Sequence, residues 1–348
     1  CGFLFVLNLF VPLSFTEEKR TIETEKPVIA IYLGADNVQS RKKVEYIFSL
    51  FEGAELTAVV IDFKVGKPQI NQYLKDLITR FHHKGIYVIG RLVMFQDSYL
   101  AKTRPYLAVK NKRGDMCFSG RYVWQRYWVD MASDEVLNYN VEIAKQGIAA
   151  GFDEINFDYI RFPSDLGNCD LKNNIAYPVW NGEDKYKTMH RVFRVLNREL
   201  KNYAREKNVQ AVLSIDIFGD VFTHGEEIGV GQKLSDIAEF FDAISPMAYP
   251  SHYKCNAFGL KDPNRSPYIV YKKTLEPGLK KLREAAFKGT VRPWIQDFSI
   301  ANIYGCGPKV YYASAEVKDQ IKATREFGIT GFMLWNPRND YTKKALLQ

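Results

Sequence analysis

Three aspartates stand at or close to the ends of short β-branched segments of this 348-residue sequence, at Asp62, Asp158 and Asp216. Neighbouring carboxyl groups can divide acid–base work, because one protonates a departing oxygen while the other attacks carbon or activates water. Aromatic side chains recur near the same segment ends, and their flat faces suit stacking against sugar rings. Together these residue types predict a cleft that cleaves glycosidic bonds.

Alternation along each segment identifies the polar residues that share a face with these aspartates. Lys64 stands two residues after Asp62, and Asn156 stands two residues before Asp158, so each pair lies on one side of its strand. The candidate substrate-binding groups from this alternation and from the aromatic pattern are Asp62, Arg91, Tyr249, Trp294, Gln296 and Trp335. The competing interpretation is a buried ion pair between Asp62 and Arg91 that only fills the interior of the fold.

Other catalytic chemistries lack their sequence motifs. The five histidines include no H-E-x-x-H pair, and the cysteine spacings do not fit a zinc site. No G-x-S-x-G elbow and no calcium-loop pattern occurs. We therefore expect neither a metal nor a cofactor.

Eight β-branched segments alternate with longer amphipathic stretches from residue 26 onward. The predicted strands are 28–32, 57–62, 86–92, 154–158, 209–216, 243–245, 291–296 and 331–335, and the predicted helices include 41–51, 70–83, 133–149, 186–207, 275–287 and 315–327. Gly53, Gly85, Gly151, Gly289 and Gly328 follow five of these helices as candidate C-caps. This repetition predicts an α/β fold, a single (β/α)8 TIM barrel. An open doubly wound sheet has similar parts, but the first strand-to-helix turn lacks the G-x-G-x-x-G motif.

Long loops follow predicted strands 3, 4 and 6, at residues 94–133, 163–184 and 249–274. Barrel enzymes build their sites at the carboxyl ends of the strands, so these loops are expected to frame the site. No internal repeat or low-complexity linker interrupts residues 26–348, which predicts one barrel domain. With 46% hydrophobic residues, the chain can bury a core of that size.

The first residues differ in composition from the rest of the chain. Residues 1–16 carry no charge and are rich in Phe, Leu and Val. We interpret residues 1–25 as a truncated signal peptide or membrane anchor with a short linker, which predicts a secreted or cell-envelope protein; a buried N-terminal strand is the alternative. In an oxidising compartment Cys117, Cys169, Cys255 and Cys306 could form up to two disulfides, in any of three pairings.

The formal net charge of +8 lies in short clusters of Lys and Arg. No basic stripe interleaves with aromatic residues, so solvated helix faces explain the excess better than nucleic-acid binding. We therefore expect no nucleic-acid partner. The expected partner is the polysaccharide or oligosaccharide substrate, and the protein is expected to be a monomer.

The segment 151–163, GFDEINFDYIRFP, resembles the signature of a glycoside hydrolase-type barrel family of bacterial envelope proteins that was long catalogued as a domain of unknown function. Segments 91–97, 244–250, 292–298 and 331–337 agree with that family in the same order. The resemblance covers nearly the whole chain after residue 28. It implies a (β/α)8 barrel with a carbohydrate substrate, and it adds Arg161 and Asn336 to the candidate substrate-binding residues.

The same region is more distantly similar to family eighteen chitinases, whose strand-four motif is D-x-x-D-x-D-x-E. Asp153 and Asp158 fall on the first and third acids, but Asn156 replaces the second and Ile160 stands where the catalytic Glu should be. The missing Glu argues against the chitinase mechanism. The partner of Asp158 must then come from another strand, and we choose Asp216.

The sequence thus predicts a glycoside hydrolase for an envelope or extracellular polysaccharide. Asp158 is the expected nucleophile or base and Asp216 the expected acid, while Arg91 and Arg161 orient carboxylates. Trp335 and Tyr249 are the expected sugar platforms. The alternative is a catalytically inactive carbohydrate-binding barrel at the cell surface, and a less favoured one is a barrel hydrolase or lyase for a non-sugar substrate.

Overall fold

A computed structural model describes residues 26–120, 126–170, 174–224 and 228–347. Eight strands form the barrel: β1 Ile29–Leu33, β2 Ala58–Lys64, β3 Tyr87–Val93, β4 Glu154–Asp158, β5 Val212–Phe218, β6 Ala243–Met247, β7 Trp294–Gln296 and β8 Phe332–Trp335. Each strand is parallel to its neighbours, and β8 pairs with β1 to close the ring. The predicted single (β/α)8 barrel is therefore confirmed.

The helices surround this ring. They are α1 Ala35–Val38, α2 Arg41–Leu50, α3 Gln72–His82, α4 Ser98–Thr103, α5 Asp134–Ala150, α6 Lys185–Lys207, α7 Gly219–His224, α8 Leu234–Phe240, α9 Pro267–Glu284 and α10 Ser314–Arg325. Helix α9 begins at Pro267 rather than at the predicted residue 275, because proline suits the first helical position, where no N–H bond is lost. No helix within the described residues is long and apolar enough to cross a membrane.

Glycine caps were predicted for five helices, and four of these positions have the expected left-handed backbone. Gly151, for example, ends α5 with φ 103°. Gly289 does not fit the prediction, because Ala286, with φ 53°, takes the left-handed conformation after α9. Gly289 is instead required by close packing, since a Cβ there would lie 2.1 Å from the carbonyl oxygen of Asp242.

Two separate apolar layers follow from the alternation of side chains along the strands. Ala30, Val60, Ile89 and Met333 point into the barrel and form a small inner core with Trp294. The opposite strand faces pack under the helices in a much larger outer core. Polar residues on the inner parity must therefore either pair with one another inside the barrel or reach its mouth.

Two disulfides join the long loops. Cys117–Cys169 links the loop after β3 to the loop after β4, and Cys255–Cys306 links the loop after β6 to the loop after β7. This is one of the three pairings that the sequence left open. Each bond closes a sequence separation of about 50 residues on the side of the barrel where the strands end.

Candidate active site

Arg91 is the centre of the acidic group at the carboxyl end of the barrel. Its Nη1 donates to Oδ1 of Asp62 at 2.7 Å, and its Nε and Nη2 donate to Oδ2 of Asp158, the Nε bond measuring 3.1 Å. The same Nε lies 3.9 Å from Oδ2 of Asp216. One guanidinium on β3 therefore gathers carboxylates from β2, β4 and β5, which is the cluster that the alternation predicted.

Both oxygens of Asp62 accept hydrogen bonds from the protein. Besides Arg91, the Tyr32 hydroxyl donates to its Oδ2 at 2.5 Å and the Ala35 N–H donates to the same oxygen at 3.2 Å. The buried pair that was the competing interpretation for Asp62 and Arg91 is thus present. Asp62 anchors Arg91 from the side opposite to Asp158.

Asp158 is the last residue of β4, and its side chain is 8% exposed. Its Oδ1 accepts the N–H of Tyr159 at 2.6 Å, and Tyr159 has a left-handed backbone with φ 51°. That turn ends the strand and sends Ile160 into the outer core, where it is fully buried. No carboxyl group stands at the position of the chitinase acid.

Asp216 lies on β5 and is 1% exposed. Its Oδ1 accepts N–H bonds from Nε1 of Trp294 at 2.8 Å and from Nδ2 of Asn156 at 3.0 Å. Burial, followed by the charge of Asp158, raises the pKa of Asp216 to about 8, although Arg91 and the two N–H donors act in the opposite direction. Asp216 is therefore protonated at neutral pH, and Oδ2 is the oxygen left to carry the proton.

The two catalytic candidates lie close together. Because Arg91 Nε is 3.1 Å from one Oδ2 and 3.9 Å from the other, these oxygens of Asp158 and Asp216 are at most about 7 Å apart. Retaining glycosidases separate their carboxyl groups by about 5–5.5 Å and inverting ones by about 6.5–9.5 Å. The spacing therefore leaves room for the retaining arrangement and for only the narrowest inverting arrangements.

Aromatic rings surround this pair. Trp335 is half-buried and stacks on Tyr32 with ring centroids 4.1 Å apart, and the Arg91 guanidinium lies 5.4 Å from its centroid. Tyr249 is 8% exposed, and burial followed by the charge of Asp216 raises the pKa of its phenol well above the usual value. Trp294 is almost fully buried, so its indole N–H donates to Asp216 and its ring presents no face to the cleft.

Two predicted binding residues are engaged by loops. The Gln296 side chain accepts from the N–H and hydroxyl of Ser251 and donates to Asn264 and to the carbonyl of Phe298. Asn336 donates to the carbonyls of Asp297 and Asp340 at 2.5 Å each. Both residues therefore hold the loops that follow β6, β7 and β8.

Arg161 and Lys64 are both buried, but Arg161 lies among aromatic rings and Lys64 pairs with a carboxylate. Arg161 follows β4 and is 5% exposed, with its guanidinium among aromatic rings. Lys64 was expected near Asp62 in the cleft, and this expectation is wrong. The register of β2 against β3 shifts between the two residues, and Lys64 is instead fully buried against Asp97 at 2.7 Å.

The sequence placed Asn156 on the same strand face as Asp158 and in the position of a missing chitinase acid, but it did not show what the amide contacts. Its amide donates to both Asp216 and Ser214, whereas an ionised Asp at this position has no proton to donate. Its position two residues before Asp158 was the available signal, since it places the amide on the inner face. Among the described residues no group of three or more His, Cys, Asp or Glu could hold a metal ion.

A closed barrel of parallel strands with paired carboxyl groups and aromatic rings at its mouth is the architecture of the barrel glycoside hydrolases. Residues 30–341 match the family described as "Putative glycosyl hydrolase domain", which is most of the chain. The chain therefore belongs to this family. A comparison with the curated proteins gives no significant match.

Solved structures with TM-scores above 0.5 give the same fold. The spore cortex-lytic enzyme SleL of Bacillus megaterium superposes with a TM-score of 0.56 at 10% identity, over 92% of this chain and 73% of that one. A family eighteen chitinase of Cycas revoluta superposes with a TM-score of 0.55 at 11% identity, over 92% and 97%. A hypothetical protein of Ruminiclostridium thermocellum is 30% identical over 53% of this chain and 96% of that one, with a TM-score of 0.41.

Proposed function

We propose that this barrel hydrolyses glycosidic bonds of an envelope or extracellular polysaccharide, with Asp216 as the general acid and Asp158 as the nucleophile or base. The observation that carries the proposal is the contrast between the two carboxyl groups. Asp216 holds a proton at neutral pH, whereas Asp158 accepts two N–H bonds from a guanidinium. Pairs of carboxyl groups in such different environments are typical of glycosidases.

Protonation of the leaving oxygen follows from how Asp216 is held. Trp294 and Asn156 both donate to Oδ1, which keeps the acidic proton on Oδ2. Oδ2 is also the oxygen nearer to Arg91 and hence to Asp158. A glycosidic oxygen that receives this proton would leave as an alcohol while positive charge grows at the anomeric carbon.

Asp158 would stabilise or attack that carbon. Its Oδ1 accepts only the N–H of Tyr159 among the described residues, while Arg91 holds Oδ2. Arg91 in turn is anchored by Asp62, so the carboxylate has little freedom to rotate away. Preorganised charge of this kind stabilises a developing cation without reorganisation during the reaction.

The class of activity is tested on the unmodified protein with a panel of envelope and plant polysaccharides, by measuring new reducing ends. We expect hydrolysis of at least one glycan, and Trp335→Ala to weaken its binding by about tenfold because a stacking face is lost. A protein that binds a glycan through Trp335 and Tyr249 but releases no reducing ends from any of them would instead support the inactive carbohydrate-binding barrel.

Export is the second part of the proposal. It is supported by the uncharged residues 1–16, which lie outside the described residues, and by the two disulfides, since such bonds persist in oxidising compartments. We expect cell fractionation to place the protein in the envelope or the medium. Recovery with reduced thiols in the cytoplasmic fraction would contradict this.

Stability should depend on the two disulfides. Each cross-link closes a loop of about 50 residues and so lowers the entropy of the unfolded chain. In the chain-entropy account this raises the free energy of the unfolded state by about 4 kcal/mol for each disulfide. We therefore expect Cys117→Ser with Cys169→Ser to lower the free energy of unfolding by about 2–4 kcal/mol in urea titrations. Reductant should lower the stability of the wild type and have a smaller effect on this variant; equal effects on both would contradict the prediction.

A further inference from the structure

Four cationic side chains are buried in the part of the chain that the structure describes, and three of them have a carboxylate partner. Arg91 pairs with Asp62 and Asp158, while the other two pairs are Arg292 with Glu154 and Lys64 with Asp97. The fourth is Arg161, which has no described carboxylate within ion-pair distance and is only 5% exposed. An unpaired buried charge is costly, so an exception of this kind needs an explanation.

Hydrogen bonding uses only part of the Arg161 guanidinium. Nη1 donates to the carbonyl of Phe162 at 3.0 Å and weakly to the Ser164 hydroxyl at 3.4 Å. Nε and Nη2 donate to no described residue. These two nitrogens form one edge of the guanidinium, and that edge matches the two oxygens of a carboxylate or phosphate.

Aromatic rings hold the guanidinium in place without neutralising it. Its central carbon lies 4.2 Å from the Phe218 ring centroid, 5.1 Å from that of Trp128 and 5.3 Å from that of Tyr159. Cation–π contacts offset part of the desolvation cost but leave the full charge. Burial lowers the pKa of Arg161, and the charges of Tyr159, Asp165 and Asp158 offset only part of that effect.

The position of Arg161 relates it to the reaction centre. Tyr159 directly follows the catalytic Asp158, and Phe218 is the last residue of β5, the strand that carries Asp216. The guanidinium therefore lies between the carboxyl ends of the two strands that supply the proposed nucleophile and acid. A sugar seated between Asp158 and Asp216 would have its neighbouring substituents close to this edge.

We propose that Arg161 binds an anionic substituent of the sugar, so that the substrate is an acidic glycan. The inference rests on the proposed function, because it names the substrate class for the same cleft. The recognised group is an oxyanion with two oxygens in reach of Nε and Nη2, as in a uronic acid carboxylate or a sulfate or phosphate ester. The substrate would supply the ion-pair partner that none of the described residues gives to Arg161.

The test measures binding to the full chain by isothermal titration calorimetry. Tetragalacturonate is compared with its neutral methyl ester, which tests recognition of a carboxylate. Dextran sulfate is compared with neutral dextran, which tests recognition of a sulfate ester. We expect at least one anionic probe to bind tenfold or more tightly than its neutral counterpart. Arg161→Gln should reduce that preference to less than about threefold.

Two further variants make the result specific. Lys254→Gln removes the same charge from an exposed residue of the loop after β6, and it should keep the preference. Arg161→Lys keeps the charge but loses the bidentate edge, so it should lose most of the preference while remaining folded in thermal melts. If Arg161→Gln does not fold, Arg161→Lys decides the question.

The proposal is overturned if the wild type binds each anionic probe and its neutral counterpart equally, or if the Arg161 variants keep the preference. The proposed function is judged separately by the release of reducing ends. Hydrolysis of neutral glycans without any preference for anions would refute the role of Arg161 alone. Anion preference without hydrolysis of any glycan would refute only the enzymatic activity.

Discussion

Asp158→Asn should retain the fold and bind oligosaccharide, yet hydrolyse its best glycan about 10⁴-fold more slowly than the wild type. The amide keeps the size of the side chain but removes the negative charge that the anomeric carbon needs. Arg91 keeps its bond to Asp62, so the cluster is not left without a counter-charge. The measurement is kcat on the glycan identified in the panel, with circular dichroism as evidence of folding.

The same variant has a second readout. The charge of Asp158 is a cause of the raised pKa of Asp216, so Asp158→Asn should move that pKa downward and shift the alkaline limb of any residual activity to lower pH. Glu154→Gln is the matched control, since it removes a buried negative charge that pairs with Arg292 at the opposite end of the barrel. We expect that control to lose stability but less than tenfold in kcat. Unchanged hydrolysis in Asp158→Asn would refute its assignment.

Asp216→Asn should have the next largest effect, and the size should depend on the leaving group. An amide cannot protonate the glycosidic oxygen, so hydrolysis of a natural glycan is expected to fall by about 10²–10⁴-fold. An aryl glycoside with an acidic phenol needs little protonation and should lose less than about tenfold. Equal losses on both substrates would contradict the assignment of Asp216 as the acid.

The pH profile gives an independent check on Asp216. Activity requires its protonated form, so kcat/KM of the wild type should fall as the pH rises through about 8. Stability should follow the same direction: because the folded-state pKa is raised, the stabilising contribution is present at low pH and is lost as the pH rises toward 8. Asp216→Asn should remove both dependences. A wild-type profile that stays flat to pH 10 would contradict the raised pKa.

Much of the fold and some of the site followed from local sequence pattern. The eight strands and their closure were predictable because alternation and helix periodicity depend on neighbours within a few residues. The same alternation identified Asp62, Arg91, Asp158 and Asp216 as residues of one face at one end. Ile160 also showed from sequence alone that the chitinase acid is missing, since no structure can give an isoleucine a proton.

The remaining features depended on contacts between residues that are far apart in the chain. The raised pKa of Asp216 arises from burial and from Asp158 on another strand, and no local pattern encodes either effect. A register shift in β2 turned Lys64 away from the cleft, and the loops after β6 and β8 engaged Gln296 and Asn336. That no described carboxylate lies within ion-pair distance of Arg161 is likewise visible only in the tertiary structure. Sequence alternation thus determined which residues share the mouth of the barrel. Tertiary packing decided which of these residues keep a proton, a charge or an unused hydrogen-bond donor, because desolvation and charge–charge interactions act through space.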